Sequence, residues 1–267
     1  MKSELTNGKQ TVLVTGASSG IGLELAKVFA REGYNLIVVA RSSDKLIALA
    51  AQLATQYGTQ TKVIVKDLSA TSAPDELFNE IQASGIQVDV LVNNAGFATY
   101  GRFSEVDLQQ QLQMMQLNMV TLTHLTRLFL ALMIERHSGK ILNVASTAGF
   151  QPGPLMAVYC ATKAYVLSFS ESIAEEVRGT GVTVSALCPG GTASGFQERA
   201  AMQDSKFIQS GLMKPNQVAE AGYQGLMAAM TINIPGFTNK VLASMHRFLP
   251  RRLVARLAMS ALESVKH

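Results

Sequence analysis

The chain has 267 residues, 48% hydrophobic and 16% charged, with 23 Lys and Arg against 19 Asp and Glu for a formal charge of +4. That length suffices to bury a sizeable core in one large domain or two small ones. Cys160 and Cys188 are too few for a disulfide-stapled scaffold or a Cys-rich zinc module, and His124, His137, His246 and His267 lack paired spacing, so no metal site is expected.

The opening decapeptide, MKSELTNGKQ, is polar and has no apolar signal core, which predicts a cytoplasmic protein. Short runs rich in Val, Ile and Leu follow at 11–15, 35–40, 62–66, 89–93, 140–146 and 182–188. They show little polar alternation, as strands buried on both faces of a parallel sheet should. Amphipathic stretches lie between them, at 23–31, 44–57, 75–83 and 159–178. The greasiest stretch, 119–134, contains His124 and Arg127 and reads as buried core, not a membrane span. Strand and helix in alternation predict a doubly wound parallel sheet, a single Rossmann domain over 1–235 with helices on both faces. A seventh strand is expected at 231–235, and 236–267 forms a C-terminal extension of different composition.

After the first strand comes Thr15-Gly16-Ala17-Ser18-Ser19-Gly20-Ile21-Gly22 and then a helix. A glycine turn between strand and helix lets backbone approach a pyrophosphate, and the helix start offers free N–H groups and a positive dipole end. The spacing is G-x-x-x-G-x-G, so the strand–turn–helix context carries the assignment more than the glycines do. The second strand ends Val39-Ala40-Arg41-Ser42, with no acid before Asp44. A carboxylate there would bind a ribose 2′-hydroxyl, whereas Arg41 suits a 2′-phosphate, so the expected cofactor is NADP(H).

Tyr159 and Lys163 stand four apart at the start of a helical stretch and share one face. A phenol titrates near 10 in water, and a neighbouring ammonium favours the phenolate, which brings proton exchange toward neutrality. Ser146 ends the preceding strand, where its hydroxyl could hold a carbonyl or simply cap a turn.

Over nearly all of residues 10–235 the chain resembles the short-chain dehydrogenases/reductases. The resemblance rests on TGASSGIG at 15–22, Asp67 after the third strand, Asn93-Asn94-Ala95-Gly96, and the ordered set Asn118, Ser146, Tyr159 and Lys163. It implies an oxidoreductase that interconverts a ketone and a secondary alcohol. Tyr159 would be the general acid or base, and Lys163 would lower its pKa and hold the nicotinamide ribose. Ser146 would orient the carbonyl, and Asn118 would anchor a water relay to Lys163. Gly16, Ser18, Ser19, Gly20, Ile21 and Gly22 would take the diphosphate end of the cofactor, with Asp67 and Leu68 beside the adenine and Asn94, Ala95 and Gly96 supporting the fourth strand. Pro189, Gly190, Thr192 and Ser194 fall where the family has P-G-x-V-x-T. Thr192 stands at the aliphatic position there, which leaves open which hydroxyl binds. The family also implies a substrate-covering loop at 196–212 and a homodimer or homotetramer. A non-catalytic NADP-sensing protein on the same fold is the alternative, and no nucleic-acid partner is expected.

The tail concentrates the charge. Residues 236–267 hold six Lys and Arg against one acid, a net of +5, leaving the preceding residues at −1. Val241, Leu242, Met245, Phe248 and Leu249 follow helical spacing; Pro250 interrupts it, and Leu253 and Leu257 resume it beside Arg251, Arg252 and Arg256. Such a segment either packs on its own domain or a second subunit, or docks on an anionic membrane and meets a lipid-like substrate there.

Overall fold

The computed structural model describes residues 5, 7–195, 212–245 and 248–263. Seven parallel strands form one sheet in the order β3-β2-β1-β4-β5-β6-β7. They are β1 (Thr11–Thr15), β2 (Asn35–Ala40), β3 (Thr61–Val65), β4 (Val90–Asn93), β5 (Gly139–Val144), β6 (Val182–Leu187) and β7 (Ile232–Asn233). The third to seventh start or end one or more residues from the sequence reading, because flanking residues such as Ala145 and Ser146 keep apolar or small character after pairing stops.

Helices α1 (Gly20–Arg31), α2 (Ser43–Tyr57) and α3 (Ala73–Ala83) cross over between the first four strands. Then come α4 (Leu108–Met115), a π-helical turn at Gln116–Thr121 and α5 (Leu122–Glu135), which run on as one rod before β5. After β5 come a 3₁₀ turn (Thr147–Phe150), α6 (Ala157–Glu176), β6, α7 (Pro215–Met227) and β7. The chain closes with α8 (Phe237–Met245) and α9 (Arg251–Leu262), and Pro250 caps α9 as the break in the apolar pattern predicts.

Two apolar layers sandwich the sheet. Leu25, Phe29, Leu46, Leu53 and Val218 cover one face, and Leu77, Ile81, Leu125, Phe129 and Met133 the other. The rod over Leu108–Glu135 is long and apolar enough to cross a membrane by length and composition, yet α5 buries its apolar side in that second layer. Inside the sheet, Asn93 Nδ2 donates to Asn143 Oδ1 (2.9 Å) and Thr126 Oγ1 (3.0 Å), and Asn143 Nδ2 donates to Ser170 Oγ (3.0 Å). A buried polar chain of this kind fixes one register of α5 and α6 on the strands, since slippage would strand each amide unpaired.

Candidate active site

The strand order reverses between β1 and β4, and a ligand on such a sheet binds beyond the carboxyl ends at that point. There Thr15 Oγ1 donates to Val92 O (3.1 Å) and accepts from the N–H groups of Asn94 (2.9 Å) and Ala95 (3.0 Å). In return Asn94 Nδ2 donates to Thr15 O (2.9 Å) and Gly16 O (3.3 Å). This clamp locks the glycine turn to the end of β4. Thr15 was absent from the sequence-derived site, because its partners lie 77 to 80 residues away and no local pattern reports them.

Gly16 and Gly20 adopt φ of +68° and +58°, the left-handed region that glycine enters without strain. Gly22 differs from them in both backbone and place: a Cβ there would stand 2.3 Å from Asn94 Nδ2 and 2.4 Å from Gly16 O. It lies behind the turn, outside the cleft wall, and lets Asn94 reach the turn. Ser19 precedes α1 in extended conformation without a side-chain cap bond, and the first turn of α1 holds no acid. The helix start therefore presents unsatisfied N–H groups and a positive end.

From this turn a cleft of about 810 Å³ runs along the sheet edge. Gly16, Ser18, Ser19, Gly20 and Ile21 line one end; Arg41, Asp67 and Leu68 line the flank at β2 and β3. Asn94, Ala95 and Gly96 line its floor, and Pro189, Gly190, Thr192 and Ser194 its far side. Ser146, Tyr159 and Lys163 complete it. Two cations that the sequence reading passed over, Lys45 and Lys66, share the Arg41 flank, though Lys66 is tied to Glu76 at 2.9 Å. Partial burial works against the Asp67 carboxylate, but hydrogen bonds from Ser69 N (3.0 Å) and Oγ (2.7 Å) and the charge of Arg41 outweigh it and hold the group below its ordinary range. Of the two hydroxyls in the sixth-strand loop, Thr192 Oγ1 turns back to Gly190 O (3.0 Å), while Ser194 packs against the turn, its Cβ 3.1 Å from where a Gly20 Cβ would be.

Asn118 sits in the π-helical turn and is buried. Its Oδ1 accepts from Phe97 N (3.2 Å), and its Nδ2 donates to Phe97 O (3.0 Å) and Thr162 Oγ1 (3.2 Å). The side chain therefore pins the Gly96–Phe97 segment after β4 to α6, and Asn118 is not among the residues that line the cleft. Ser146 Oγ accepts from Ala148 N (3.1 Å), capping the 3₁₀ turn, and donates to Pro189 O (3.4 Å). The cap and the cleft-facing position hold together at one residue.

Tyr159 and Lys163 are 8% and 6% exposed, so both titrating groups sit almost entirely out of water. Burial pushes the phenol above its ordinary value, and a hydrogen bond from the Ser146 side chain opposes that rise. Burial likewise lowers the Lys163 ammonium to about 8, with Cys188 acting the other way. Lys163 Nζ donates to Val144 O (2.7 Å) and lies 5.8 Å from the centre of the Tyr159 ring. Cys160 is an inert neighbour: it is buried, and burial lifts its thiol to about 11. The loop expected over the substrate, 196–212, lies outside the described residues except for Leu212.

The structure adds a wall that the sequence did not disclose. Leu262, the last residue of α9, lines the same cleft and packs against the apolar cluster that contains Met156, Tyr159 and Cys160. Its carbonyl accepts a 2.6 Å hydrogen bond from Tyr100 Oη.

Residues 10–205 match the model of the short chain dehydrogenase family. The chain belongs to that family. It is 38% identical over 183 residues to a very-long-chain 3-oxoacyl-CoA reductase from Anas platyrhynchos, a match covering 66% of this chain and 58% of that protein. It is 36% identical over 181 residues to the ketoacyl reductase HetN from a Nostoc species, covering 68% and 63%. The matches thus span roughly three fifths of the length of these relatives. A short-chain dehydrogenase from Sphingobium yanoikuyae, solved in complex with NADPH, superposes with a TM-score of 0.81 at 29% identity, covering 97% of this chain and 98% of that one.

Proposed function

We propose that the chain reduces a lipid-like ketone, of 3-oxoacyl or steroid type, to a secondary alcohol with NADPH, and catalyses the reverse oxidation. The observation that carries this reading is the burial of Tyr159 beside Ser146 and Lys163 in the cleft that begins at the glycine turn. The residues present fit the dinucleotide: an uncapped helix start for the diphosphate, cations and no acid at the end of β2 for a 2′-phosphate, and glycines at the two left-handed positions of the turn. The NADPH-bound relative supports the same choice. When bound, the nicotinamide supplies the hydride.

The chain supplies alignment and a proton. Ser146 Oγ gives up its long 3.4 Å bond to Pro189 O, donates instead to the substrate carbonyl oxygen and fixes it against Tyr159. As negative charge develops on that oxygen, Tyr159 Oη gives up its proton. Burial in the cofactor-free cleft keeps the proton on the phenol, so its release depends on the charge of Lys163 nearby. Lys163, still mostly charged below its pKa of about 8, stabilises the phenolate left behind. Asn118 acts by holding the Gly96–Phe97 end and α6 in register; its part in a proton relay rests on the family resemblance. The names of the duck and Nostoc relatives support a ketoacyl substrate class.

The decisive test pairs NADPH oxidation with cofactor binding. Tyr159→Phe should lower turnover of a 3-oxoacyl thioester about 100- to 10,000-fold while leaving NADPH affinity within about twofold. Unchanged turnover overturns the assignment. Wild-type protein that binds NADPH yet reduces no carbonyl compound supports the sensing alternative.

We also place the outer face of α8 and α9 against an anionic bilayer. Phe237, Leu242, Phe248, Leu253 and Leu257 are exposed there beside Arg251, Arg252 and Arg256. Co-sedimentation with anionic vesicles, lost on deleting 237–267, is the expected result; equal binding by both forms contradicts it. The helices around α5 and α6 are the expected homo-oligomer surface, where Val120 and Tyr165 remain exposed. A monomer by light scattering refutes that.

A further inference from the structure

We infer that the C-terminal helix α9 is part of the substrate site, and that Leu262 is a specificity-determining residue which favours an apolar substituent on the ketone. The inference rests on the reductase reading above and names what it recognises.

Helix α9 has two unlike faces. Val254, Ala258 and Leu262 stand four residues apart, so they lie along one side, and the first two are buried against the domain. Leu253 and Leu257 occupy another side and are 43% and 55% exposed, so one apolar side is buried on the domain and a second faces outward. At the inner end, Leu262 reaches the cluster of Ala98, Met114, Met156, Tyr159 and Cys160. These side chains bear no charge, and they surround the ring that carries the reacting hydroxyl.

Two details show that the seat for Leu262 is shaped. Gly153 is bare where Cys160 and Leu262 converge: a Cβ there would stand 2.1 Å from Cys160 Sγ and 4.0 Å from Leu262 Cδ1. The Tyr100 hydroxyl bonds to the Leu262 carbonyl at 2.6 Å across 162 residues of sequence, at the point where α9 ends and its last carbonyls need partners. Tyr100 is thus a positioning residue that latches the helix end, and Leu262 is the side chain presented to the cleft. A ketone whose carbonyl rests between Ser146 and Tyr159 extends one substituent past Met156 and Leu262. Apolar groups gain there by leaving water, and a charged group would lose its hydration without a partner.

The test compares a short and a long 3-oxoacyl thioester with wild-type protein, Leu262→Ala, Leu262→Asp and Tyr100→Phe. KM for the long thioester should rise about tenfold in Leu262→Ala and further in Leu262→Asp, with KM for the short one and NADPH affinity nearly unchanged. Tyr100→Phe should give a smaller rise of the same kind. Equal shifts for both thioesters, or none, overturn the inference, because a merely structural role for α9 moves them together. If wild-type protein reduces no carbonyl compound, the reductase reading falls separately, and binding of a dansyl-labelled fatty acid then decides: weakened binding in Leu262→Asp sustains the wall, and equal binding refutes it.

Discussion

At the carboxyl edge of β1 and β4, buried Thr15 and half-buried Asn94 and Gly16 are interlocked by hydrogen bonds, whereas α8 and α9 rest on Ala243, Val254 and Ala258 and leave a row of large apolar side chains in the open. The first region holds its groups in one geometry, as alignment of two reactants over a proton donor demands. The second has few buried contacts, the pattern of an element that opens at low cost. Chemistry and recognition are thereby assigned to parts of the chain with different rigidity, and substitutions in each should fail in different ways.

The largest effect is expected at the reacting end. Lys163→Met should cut turnover about 100-fold or more, while the cofactor-free fold keeps or gains stability, since a buried ammonium with a lowered pKa is a net burden on folding. Thermal melting beside NADPH oxidation checks both halves; a large loss of stability would mean that the ammonium is structural. Next comes Arg41→Asp, expected to shift preference from NADPH toward NADH by about 10- to 100-fold through loss of charge-assisted hydrogen bonds to a 2′-phosphate. Retained NADPH preference in steady-state kinetics would refute the role of Arg41.

Gly22→Ala should cost about 1–3 kcal/mol by urea unfolding, because the added methyl meets Asn94 and Gly16 backbone inside contact distance. A neutral result would show the clamp to be softer than its geometry. The smallest effect is a pH slope. Between about 8 and 10.5 the unfolded chain binds a proton that folded Lys163 has lost, so its contribution makes the cofactor-free fold more stable as pH rises through that window. Lys163→Met should flatten this slope in urea midpoints; an identical slope would place the titration elsewhere.

The same contrast explains what was legible beforehand. The glycine turn, the Arg41 position and the Tyr159–Lys163 pair are local in sequence, and strand–helix alternation assigns them to one sheet edge before any coordinates are known. Thr15 and Leu262 escape a sequence reading because their meaning depends on partners far along the chain. Gly22 reads as a phosphate-loop residue from its motif, and packing adds that its bare Cα leaves room for Asn94. The relay role of Asn118 is implied by the family resemblance alone; what packing adds is that its amide also ties Phe97 to Thr162. The tail was legible as two amphipathic pieces parted by Pro250, but periodicity could not say that its last leucine turns inward to the cleft.

The most direct test of the central claim is NADPH oxidation by wild-type protein across 3-oxoacyl thioesters, steroids, sugars and small aromatic ketones, with NADH run in parallel. The account predicts turnover that is fastest with the more apolar ketones and clearly slower with NADH. NADPH binding without oxidation by any ketone, or equal use of both cofactors on sugars alone, would contradict it.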